Sequence, residues 1–337
     1  MQNYMEGISE LSALLEFPKQ IAIISHRNPD GDALGSSLAL SLYLQSAGHS
    51  VRVLMPSDYP INFEWMPQSE EIIIFDTNQV LAEKSVKEAE IIFCLDFNSL
   101  ERIDKLGLIV LSSTAAKIMV DHHLDPEPFA DIIFSRESSS STAEIIYEIL
   151  IALGAKKPLS KLVIDCLYTG IMTDTGSFHH ATSTNVFKIC GELKEQGLDD
   201  TRIQELVHNS QPDKYLKLLG HCLHNRLELY PESKFGLIYL TREDYRNYDI
   251  QRGDTEGIIN YLMMLKSVHV GALVTNQPSI IKLSLRSKGD FSVQRICKEH
   301  FNGGGHRNAS GGSSKQTLEE TINKLKEVVP KYMFVNQ

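Results

Sequence analysis

Short apolar runs recur through the first half of the chain, and stretches long enough to form a helix separate them. Each run has the length of a strand, and the stretches between them carry apolar residues near helical spacing. This alternation predicts an α/β domain with a mostly parallel sheet. The expected strands are Ile21–Ser25, Val51–Met55, Ile91–Leu95 and Lys117–Val120, with a weaker one at Asp131–Phe134, and the clearest expected helices are Leu34–Ser46, Thr142–Ala152 and Leu159–Thr173.

The rest of the chain predicts a helical segment and then a second domain. A length of 337 residues is enough for two domains. Residues 183–229 are polar and helical in pattern, and short strands resume after them around an apolar helix. We therefore expect an α/β domain over 1–182, a helical linker over 183–229 and a smaller α/β domain over 230–337. The clearest elements expected in this part are the helices Thr184–Gln196, Asp213–Leu223, Gly257–Leu265 and Leu318–Val329 and the strands Gly236–Thr241, Ala272–Thr275 and Ile280–Arg286.

Composition limits the kinds of partner and the cellular compartment that we expect for such a chain. It has 33 Lys and Arg against 43 Asp and Glu, and the net charge of −10 argues against non-specific wrapping of long duplex nucleic acid. A small anionic substrate in a local metal-rich pocket is not excluded. The five cysteines are scattered without a C-x-x-C pair, which favours reduced thiols in a cytoplasmic protein.

Neither the N-terminus nor the long uncharged stretch after residue 32 predicts a membrane partner. The first ten residues lack the basic-then-apolar order of a signal peptide. Residues 33–51 carry no acidic or basic side chain except His49, but serine and glutamine interrupt them and their leucines fall near helical spacing. We expect a buried helix packed on the sheet.

A histidine and two aspartates crowd the segment SHRNPDGDALGSS, directly after the first expected strand. His26, Asp30 and Asp32 fall on a loop there, because Pro29 and Gly31 are turn residues. Open α/β sheets bind ligands at such loops, beyond the carboxyl ends of the strands. For this segment taken alone, capping of the following helix by the two aspartates is the alternative.

More acidic and imidazole side chains follow the later strands. A parallel sheet brings these strand ends to one edge, so their joint placement predicts a shared metal site. Carboxylates with a minority of imidazoles favour manganese ahead of magnesium, with zinc or iron as alternatives. Two ions about 3.5–4 Å apart can clamp a phosphoryl group, so we expect hydrolysis of a phosphate ester or anhydride. The side chains concerned are Asp96 after Ile91–Leu95, Asp121, His122 and His123 after Ile118–Val120, and Asp174 in an apolar segment.

Taken in order, these stretches resemble the motifs of the DHH phosphoesterase superfamily. The resemblance covers nearly the whole chain, because the segment IKLSLRS at 281–287 and a glycine-rich motif after it resemble the accompanying DHHA1 domain. The five matching motifs are His26-x-x-x-Asp30-x-Asp32, Asp96, Asp121-His122-His123, Asp174 and FNGGGHRNASGG at 301–312.

Within the superfamily, a chain of this length is similar to the bifunctional oligoribonucleases and pAp phosphatases. That resemblance implies hydrolysis of short oligoribonucleotides to mononucleotides, and of 3′-phosphoadenosine 5′-phosphate (pAp) to AMP, with two divalent ions. It also implies that His123 donates a hydrogen bond or a proton to the scissile phosphate and that Asp121 orients the histidine pair. The implied ligands are His26, Asp30 and Asp96 for one ion and Asp32, Asp96, His122 and Asp174 for the other, with Asp96 as the bridge.

The second domain is expected to bind the rest of the substrate, with the active site in the cleft between the domains. Its glycine-rich motif can turn backbone N–H groups towards an anion, and a flexible loop is the alternative for this motif taken alone. An imidazole and a guanidinium nearby can contact a phosphate. The residues expected to do so are Gly303, Gly304, Gly305, His306 and Arg286.

Other functions stay open on the sequence. Cleavage of linear or cyclic dinucleotides, such as pApA and cyclic di-AMP, is the alternative within the superfamily, and pyrophosphatase activity fits less well. A non-catalytic nucleotide sensor is a different class, against which the intact set of ligands argues. His179 and His180 stand where the superfamily has an arginine or an aromatic residue, so they either touch substrate or are exposed. A homodimer is compatible with the sequence, which does not decide the oligomeric state.

Overall fold

The computed structural model describes residues 4–209, 212–251, 253–277 and 280–335. The chain divides into two units, Met1–Ser210 and Gln211–Gln337. The helical segment expected as a linker is shared between them, because its first two helices pack in a core of the first unit and its third packs in a core of the second. The division between the units therefore falls inside residues 183–229.

A six-stranded sheet forms the centre of the first unit. Its strands are β1 (Gln20–Ser25), β2 (Ser50–Met55), β3 (Ile73–Ile74), β4 (Ile91–Leu95), β5 (Ala116–Asp121) and β6 (Ile132–Ser135). They lie in the order β3-β2-β1-β4-β5-β6, and every neighbouring pair is parallel. The predicted parallel α/β architecture is confirmed.

The strands of this sheet are buried on both faces. Along β1, Ile21 and Ile23 belong to one apolar core, whereas Ala22 and Ile24 belong to a second core on the opposite face. A strand covered on both faces needs apolar residues at successive positions. This requirement explains the continuous apolar runs of the sequence.

The helices of the first unit cover these two faces. They are α1 (Tyr4–Leu14), α2 (Gly31–Ser46), α3 (Gln79–Glu88), α4 (Lys105–Ser112), α5 (Thr142–Ala152), α6 (Lys161–Asp174), α7 (Thr184–Glu195) and α8 (Asp200–His208). Helix α2 is buried over most of its length, as predicted. Ser141, Ser160 and Ser183 precede α5, α6 and α7 and accept hydrogen bonds from their first turns. Among the helices that the structure describes, none combines the length and the apolar content needed to cross a membrane.

The second unit contains a mixed six-stranded sheet. Its strands are β7 (Leu227–Tyr230), β8 (Phe235–Leu240), β9 (Val270–Asn276), β10 (Ile281–Ser287), β11 (Gly304–His306) and β12 (Ala309–Ser314), in the order β11-β12-β10-β9-β8-β7. Only β8 and β9 pair in parallel within this sheet. The helices are α9 (Asp213–Asn225), α10 (Arg242–Asn247), α11 (Ile258–Met263), α12 (Val293–His300) and α13 (Leu318–Val335). Residues of α12 and α13 pack on one face of the sheet, and residues of α9 and α11 pack on the other.

The glycine-rich segment 303–306 lies in a β-hairpin rather than in a flexible loop. Strand β11 pairs antiparallel with β12. A Cβ atom at Gly303 would stand 2.0 Å from the carbonyl oxygen of Gly311, so this glycine permits a close approach of two backbones. Beside Gly304, in contrast, no heavy atom of the described residues lies within 4 Å of such a Cβ position, apart from its two neighbours in the chain. The two glycines therefore have different roles: Gly303 is needed for packing, and Gly304 leaves the backbone open.

Candidate metal centre

Strand register places the predicted acidic and imidazole side chains together at one edge of the first sheet. The last residues of β1 and β4 pair as Ser25 with Leu95, and Leu95 pairs in turn with Val120 of β5. The residues that follow Ser25, Leu95 and Val120 in the chain therefore lie close together at one edge of the sheet. Those residues are His26, Asp96 and Asp121.

His26, Asp30 and Asp96 form the first group of candidate ligands, with ligand atoms within 4.8 Å of one another. Nε2 of His26 lies 3.3 Å from Oδ2 of Asp96 and 3.9 Å from Oδ1 of Asp30. The other ring nitrogen, Nδ1, lies 2.9 Å from the carbonyl oxygen of Arg27 and donates to it. Because that hydrogen bond keeps the proton on Nδ1, Nε2 retains its lone pair for a metal ion.

Asp32, His122 and Asp174 form the second group, again within 4.8 Å. Nε2 of His122 lies 3.2 Å from Oδ2 of Asp174 and 3.8 Å from Oδ2 of Asp32. Its Nδ1 lies 3.3 Å from the carbonyl oxygen of Ser139, which again leaves Nε2 for a metal ion. Oδ1 of Asp96 is 3.5 Å from the same Nε2, so Asp96 lies between the two groups.

Asp30 also caps a helix, as the alternative interpretation of its segment expects. Its Oδ1 accepts hydrogen bonds from the backbone N–H groups of Asp32 and Ala33 at 3.0 and 3.1 Å. The Asp30 side chain is half exposed, whereas Asp32 is buried and makes no such cap on its own helix. Capping and proximity to the cluster therefore coexist in one residue.

Asp121 is fully buried and holds His123. Its Oδ1 accepts from Nδ1 of the His123 ring at 2.8 Å, and its Oδ2 accepts from the His123 backbone N–H at 3.1 Å. Burial raises the pKa of Asp121 to about 6. Asp121 thus contacts His123 directly, and the ring of His122 contacts the carbonyl of Ser139.

The first residues of α5 and the segment before them contact the candidate ligands, although none of these residues is among the predicted site residues. The backbone N–H groups of Thr142 and Ala143 donate to the two oxygens of Asp32 at 2.6 and 2.9 Å. The Thr142 hydroxyl donates to Oδ1 of Asp96 at 3.0 Å. Asp32 thus sits at the N-terminus of α5, where the helix dipole favours a negative charge. The serine run at 138–141 is the sequence signal that marks this segment.

Close packing of α2 on α6 sets the position of two candidate ligands. A Cβ atom at Gly35 would stand 2.5 Å from the carbonyl oxygen of Cys166, and one at Gly170 would stand 2.8 Å from Oδ1 of Asp32. These glycines let the helix backbones approach within the space that a side chain would need. Since Asp32 lies on α2 and Asp174 ends α6, the contact fixes their separation.

Burial and mutual repulsion shift the pKa values of the cluster. Burial, reinforced by repulsion from Asp96 and Asp174, raises the pKa of Asp32 well above its usual range. Burial also raises the pKa of Asp174 to about 7. For Asp96, the neighbouring imidazoles of His122 and His26 outweigh burial and hold its pKa well below the usual range. Burial opposes protonation of His122, but Asp96 and the neighbouring carboxylates raise its pKa well above the usual value.

The donor set fits divalent cations. Carboxylate oxygens predominate, imidazole nitrogens are the minority, and no cysteine belongs to either group among the residues that the structure describes. Buried carboxylates are costly unless a cation or hydrogen bonds compensate them. The cluster therefore provides the excess of buried negative charge and the free lone pairs that metal ions would satisfy.

In the second unit, Arg286 and His306 lie in one cross-strand row. His306 of β11 pairs with Ala309 of β12, and Ala309 pairs with Arg286 of β10. Paired residues project to the same face about 5 Å apart, so the backbones of Arg286 and His306 are about 10 Å apart across Ala309. This face is opposite the one on which Leu283 and Leu285 are buried. The row places a guanidinium and an imidazole on either side of a small residue.

The two histidines that follow Asp174 lie at the surface. His179 and His180 are both exposed. A Cβ atom at Gly176 would stand 2.8 Å from Nε2 of His180, so the His180 ring lies against the backbone of this turn. Exposure, one of the two alternatives for these residues, is what the structure shows.

Comparison with known proteins identifies two domains. The sequence profile described as "DHH family, N-terminal domain" matches residues 20–171, and that of the DHHA1 domain matches residues 236–333. A crystal structure of an exopolyphosphatase-related protein from Bacteroides fragilis has a TM-score of 0.92 and 39% sequence identity, and the match covers 98% of this chain and 97% of that chain.

Relatives with assigned names differ in length. The bifunctional oligoribonuclease and PAP phosphatase NrnA of Thermus thermophilus is 26% identical over 329 residues, which is 96% of this chain and 93% of that protein. The cyclic-di-AMP phosphodiesterase GdpP of Geobacillus thermodenitrificans is 25% identical over 338 residues, 96% of this chain and 49% of that protein. A membrane protein-large ribosomal subunit bL9 fusion protein of Onion yellows phytoplasma is 26% identical over 316 residues, and the chain spans only 36% of its length.

The two profile matches fall on the two units of the fold, one on each. Every candidate ligand except Asp174 lies within the first match, and Arg286 and His306 lie within the second. Similarity to the Bacteroides fragilis protein extends over almost the whole of both chains. The chain therefore belongs to the DHH family and carries a DHHA1 domain in its second unit.

Proposed function

We propose that this protein is a metal-dependent phosphoesterase that hydrolyses short oligoribonucleotides to mononucleotides and pAp to AMP. The observation that carries the proposal is the buried cluster at the strand ends, whose two groups meet at Asp96. When bound, two divalent ions would stabilise the charge of the phosphoryl group in the transition state and lower the pKa of water. The proposed ligands are His26, Asp30 and Asp96 for one ion and Asp32, Asp96, His122 and Asp174 for the other.

Manganese is the proposed ion. Carboxylate ligands suit magnesium and manganese, and imidazole ligands shift the preference towards manganese. His26 and His122 each present Nε2 to the cluster while Nδ1 contacts a backbone carbonyl, which is the arrangement that supports ligation by a neutral imidazole.

His123 is proposed to act on the scissile phosphate, as a hydrogen-bond donor or as the general acid for the leaving group. Its Nδ1 is engaged by Asp121, so the proton that it exchanges with substrate is carried on Nε2. The two hydrogen bonds from His123 to Asp121 hold the ring in one orientation. Asp121 therefore supports His123 without needing to touch the substrate.

The second unit is proposed to bind the part of the substrate that does not react. It has 18 Lys and Arg against 13 Asp and Glu, whereas the first unit has 15 against 30. Arg286 and His306 on one sheet face, beside the open backbone at Gly304, suit a nucleotide phosphate. Similarity to the Thermus NrnA over nearly all of both chains supports short RNA and pAp as substrates.

Hydrolysis of linear or cyclic dinucleotides is the second candidate. The observation in its favour is the similarity of 96% of this chain to part of a cyclic-di-AMP phosphodiesterase. Turnover of pAp, RNA of two to five residues, pApA, cyclic di-AMP and pyrophosphate, each with Mn²⁺, separates the two candidates. We expect pAp and short RNA to react fastest, and faster turnover of cyclic di-AMP or pApA would favour the second candidate.

Replacement of Asp96 tests the two-ion centre directly. Asp96→Ala removes the carboxylate that lies in contact with both groups, so turnover should fall by more than the about 10–100-fold typical of residues that only support ligands. Asp58→Ala, which removes an exposed aspartate of the same unit, is the control and should keep wild-type turnover. A folded Asp96→Ala protein with wild-type turnover at saturating Mn²⁺ would contradict the assignment.

A further inference from the structure

One short segment holds three of the candidate ligands without supplying a ligand itself. The Ser139 carbonyl contacts the His122 ring, and Thr142 contacts both Asp32 and Asp96. The position of residues 139–142 therefore decides whether the two groups of ligands stand at the right separation. Residues outside the two ligand groups hold this segment in place.

Glu144 forms hydrogen bonds with this segment. It is 2% exposed, and within the described residues it forms no ion pair. Its Oε2 accepts from the backbone N–H of Ser140 at 2.6 Å, and its own N–H donates to the Ser141 hydroxyl at 3.1 Å. Its Oε1 accepts from the side-chain amide of Asn185 on α7 at 2.7 Å. Three hydrogen bonds of Glu144, two accepted by its carboxylate and one donated by its backbone N–H, thus link Ser140 and Ser141 to α7.

A second set of contacts fixes the start of the segment. Nε of Arg136 donates to the Ser139 hydroxyl at 2.5 Å, and its Nη2 donates to Glu148 at 2.5 Å. Glu148 also accepts from Asn185, at 2.8 Å, so this set and the Glu144 contacts share one anchor on α7. The network runs from α7 through α5 to the residues that touch the candidate ligands.

A buried carboxylate destabilises a protein unless hydrogen bonds compensate the loss of hydration, and the hydrogen bonds that compensate Glu144 also reach the segment 139–142. The bonds to Ser140 and Ser141 hold the residues that lie between Ser139 and Thr142, and the bond from Asn185 anchors Glu144 on α7. We propose that Glu144, anchored by Asn185, is a positioning residue for the metal centre, holding residues 139–142 so that Asp32, Asp96 and His122 keep the geometry that binds two ions. The inference rests on the proposed metal centre.

Manganese binding to the metal-free full-length protein tests this role apart from catalysis. We expect Glu144→Ala to weaken Mn²⁺ binding by about 10–100-fold, the range seen when partners of metal ligands are removed. Glu144→Gln keeps an oxygen that can accept from Ser140, so it should recover part of the affinity. Binding is measured by titration followed through the electron paramagnetic resonance signal of free Mn²⁺, beside the melting temperature of each metal-free protein.

Asp165→Asn is the matched control. Asp165 is also a buried carboxylate of the first unit, 4% exposed, but it pairs with Lys161 and Arg202 and has no contact with residues 139–142 among the described residues. Its replacement should lower the melting temperature while leaving the Mn²⁺ affinity unchanged.

The outcomes separate this inference from the proposed function. If the wild-type protein binds no Mn²⁺, the metal centre itself is contradicted. If the wild type binds two ions and Glu144→Ala binds them equally well, or if Asp165→Asn loses as much affinity as the Glu144 variants, only the positioning role is overturned. If Glu144→Ala does not fold, the variants Glu144→Gln and Asn185→Ala test the positioning role instead. Unchanged Mn²⁺ affinity in both of them would also overturn that role.

Discussion

His122 and His123 are neighbours in the chain, but different partners hold their rings. Nδ1 of His122 contacts the Ser139 carbonyl, whereas Nδ1 of His123 contacts the Asp121 carboxylate. Either partner fixes the orientation and the tautomer of a neutral ring, and a carboxylate in addition stabilises a ring that carries a second proton. The difference fits the roles proposed above, ligation for His122 and proton or hydrogen-bond donation for His123.

Alanine variants should separate these two roles. His122→Ala should lose bound metal, because it removes a ligand. His123→Ala should keep its ions but turn over about 10²–10⁴-fold more slowly, the range that general acid catalysis contributes. Metal content by elemental analysis, measured beside turnover, distinguishes the two results. Loss of the ions from a folded His123→Ala protein would show that the roles are assigned wrongly.

At the same scale, the sequence predicts side chains that stand at strand ends better than it predicts what supports them. His26, Asp96 and Asp121 follow apolar runs directly, so the position of a parallel strand is enough to bring them together. The contact from Thr142 to Asp32 joins residues 110 positions apart, and it is made by a backbone N–H that any residue would have. Nothing in the residue type at 142 marks that contact.

Among the elements, the pair α2 and α6 shows how helix packing reaches the site. A Cβ atom at Gly170 would stand 2.6 Å from Cβ of Ala143 and 2.8 Å from Oδ1 of Asp32. Contacts below 3 Å force one of the neighbours to move, and both neighbours are fixed by the start of α5. Crowding at this position therefore acts on a candidate ligand as well as on the core.

Gly170→Ala should accordingly destabilise the protein by about 1–3 kcal/mol, as overpacking of a filled core does, and weaken Mn²⁺ binding as well. Gly191→Ala is the matched control, because Gly191 also lies inside a helix of the first unit but has open space beside it. That change should be neutral or stabilise the protein by up to about 1 kcal/mol, since alanine favours helix more than glycine does. Urea unfolding measures the stability of both variants, and Mn²⁺ titration measures their metal affinity. Unchanged Mn²⁺ affinity in Gly170→Ala would show that the contact between α2 and α6 does not affect the ligands.

Elements with a strong apolar pattern were predictable, and those formed by pairing alone were not. Strand β4 occupies the run Ile91–Leu95, as expected from its sequence. Strand β12, with the sequence ASGGSS, has a single apolar side chain, Ala309, and is a strand because β10 and β11 pair with it on either side. Strand β3 has only two residues, too few to show any periodicity.

For the whole molecule, the uneven distribution of charge between the two units is more informative about substrate binding than the net charge. The chain carries −10 overall, but the second unit alone has more basic than acidic residues. A metal cluster by itself would hydrolyse many phosphoesters, so the choice of substrate must come from groups that bind the remainder of the molecule. The basic second unit, with Arg286 and His306 in one row, is where we place that choice.

Arg286→Ala and His306→Ala should therefore sharply lower turnover of pAp and short RNA, while hardly affecting bis-p-nitrophenyl phosphate. The generic ester has no remote end to hold, so it gains nothing from positioning by the second unit, whereas the nucleotide substrates do. Arg295→Ala and His224→Ala remove an arginine and a histidine from exposed positions on helices of the same unit and should leave both activities unchanged. Steady-state kinetics with pAp, short RNA and bis-p-nitrophenyl phosphate test this prediction. Equal losses on nucleotides and on the generic ester would mean that Arg286 and His306 support folding or the metal centre, and that substrate choice lies elsewhere.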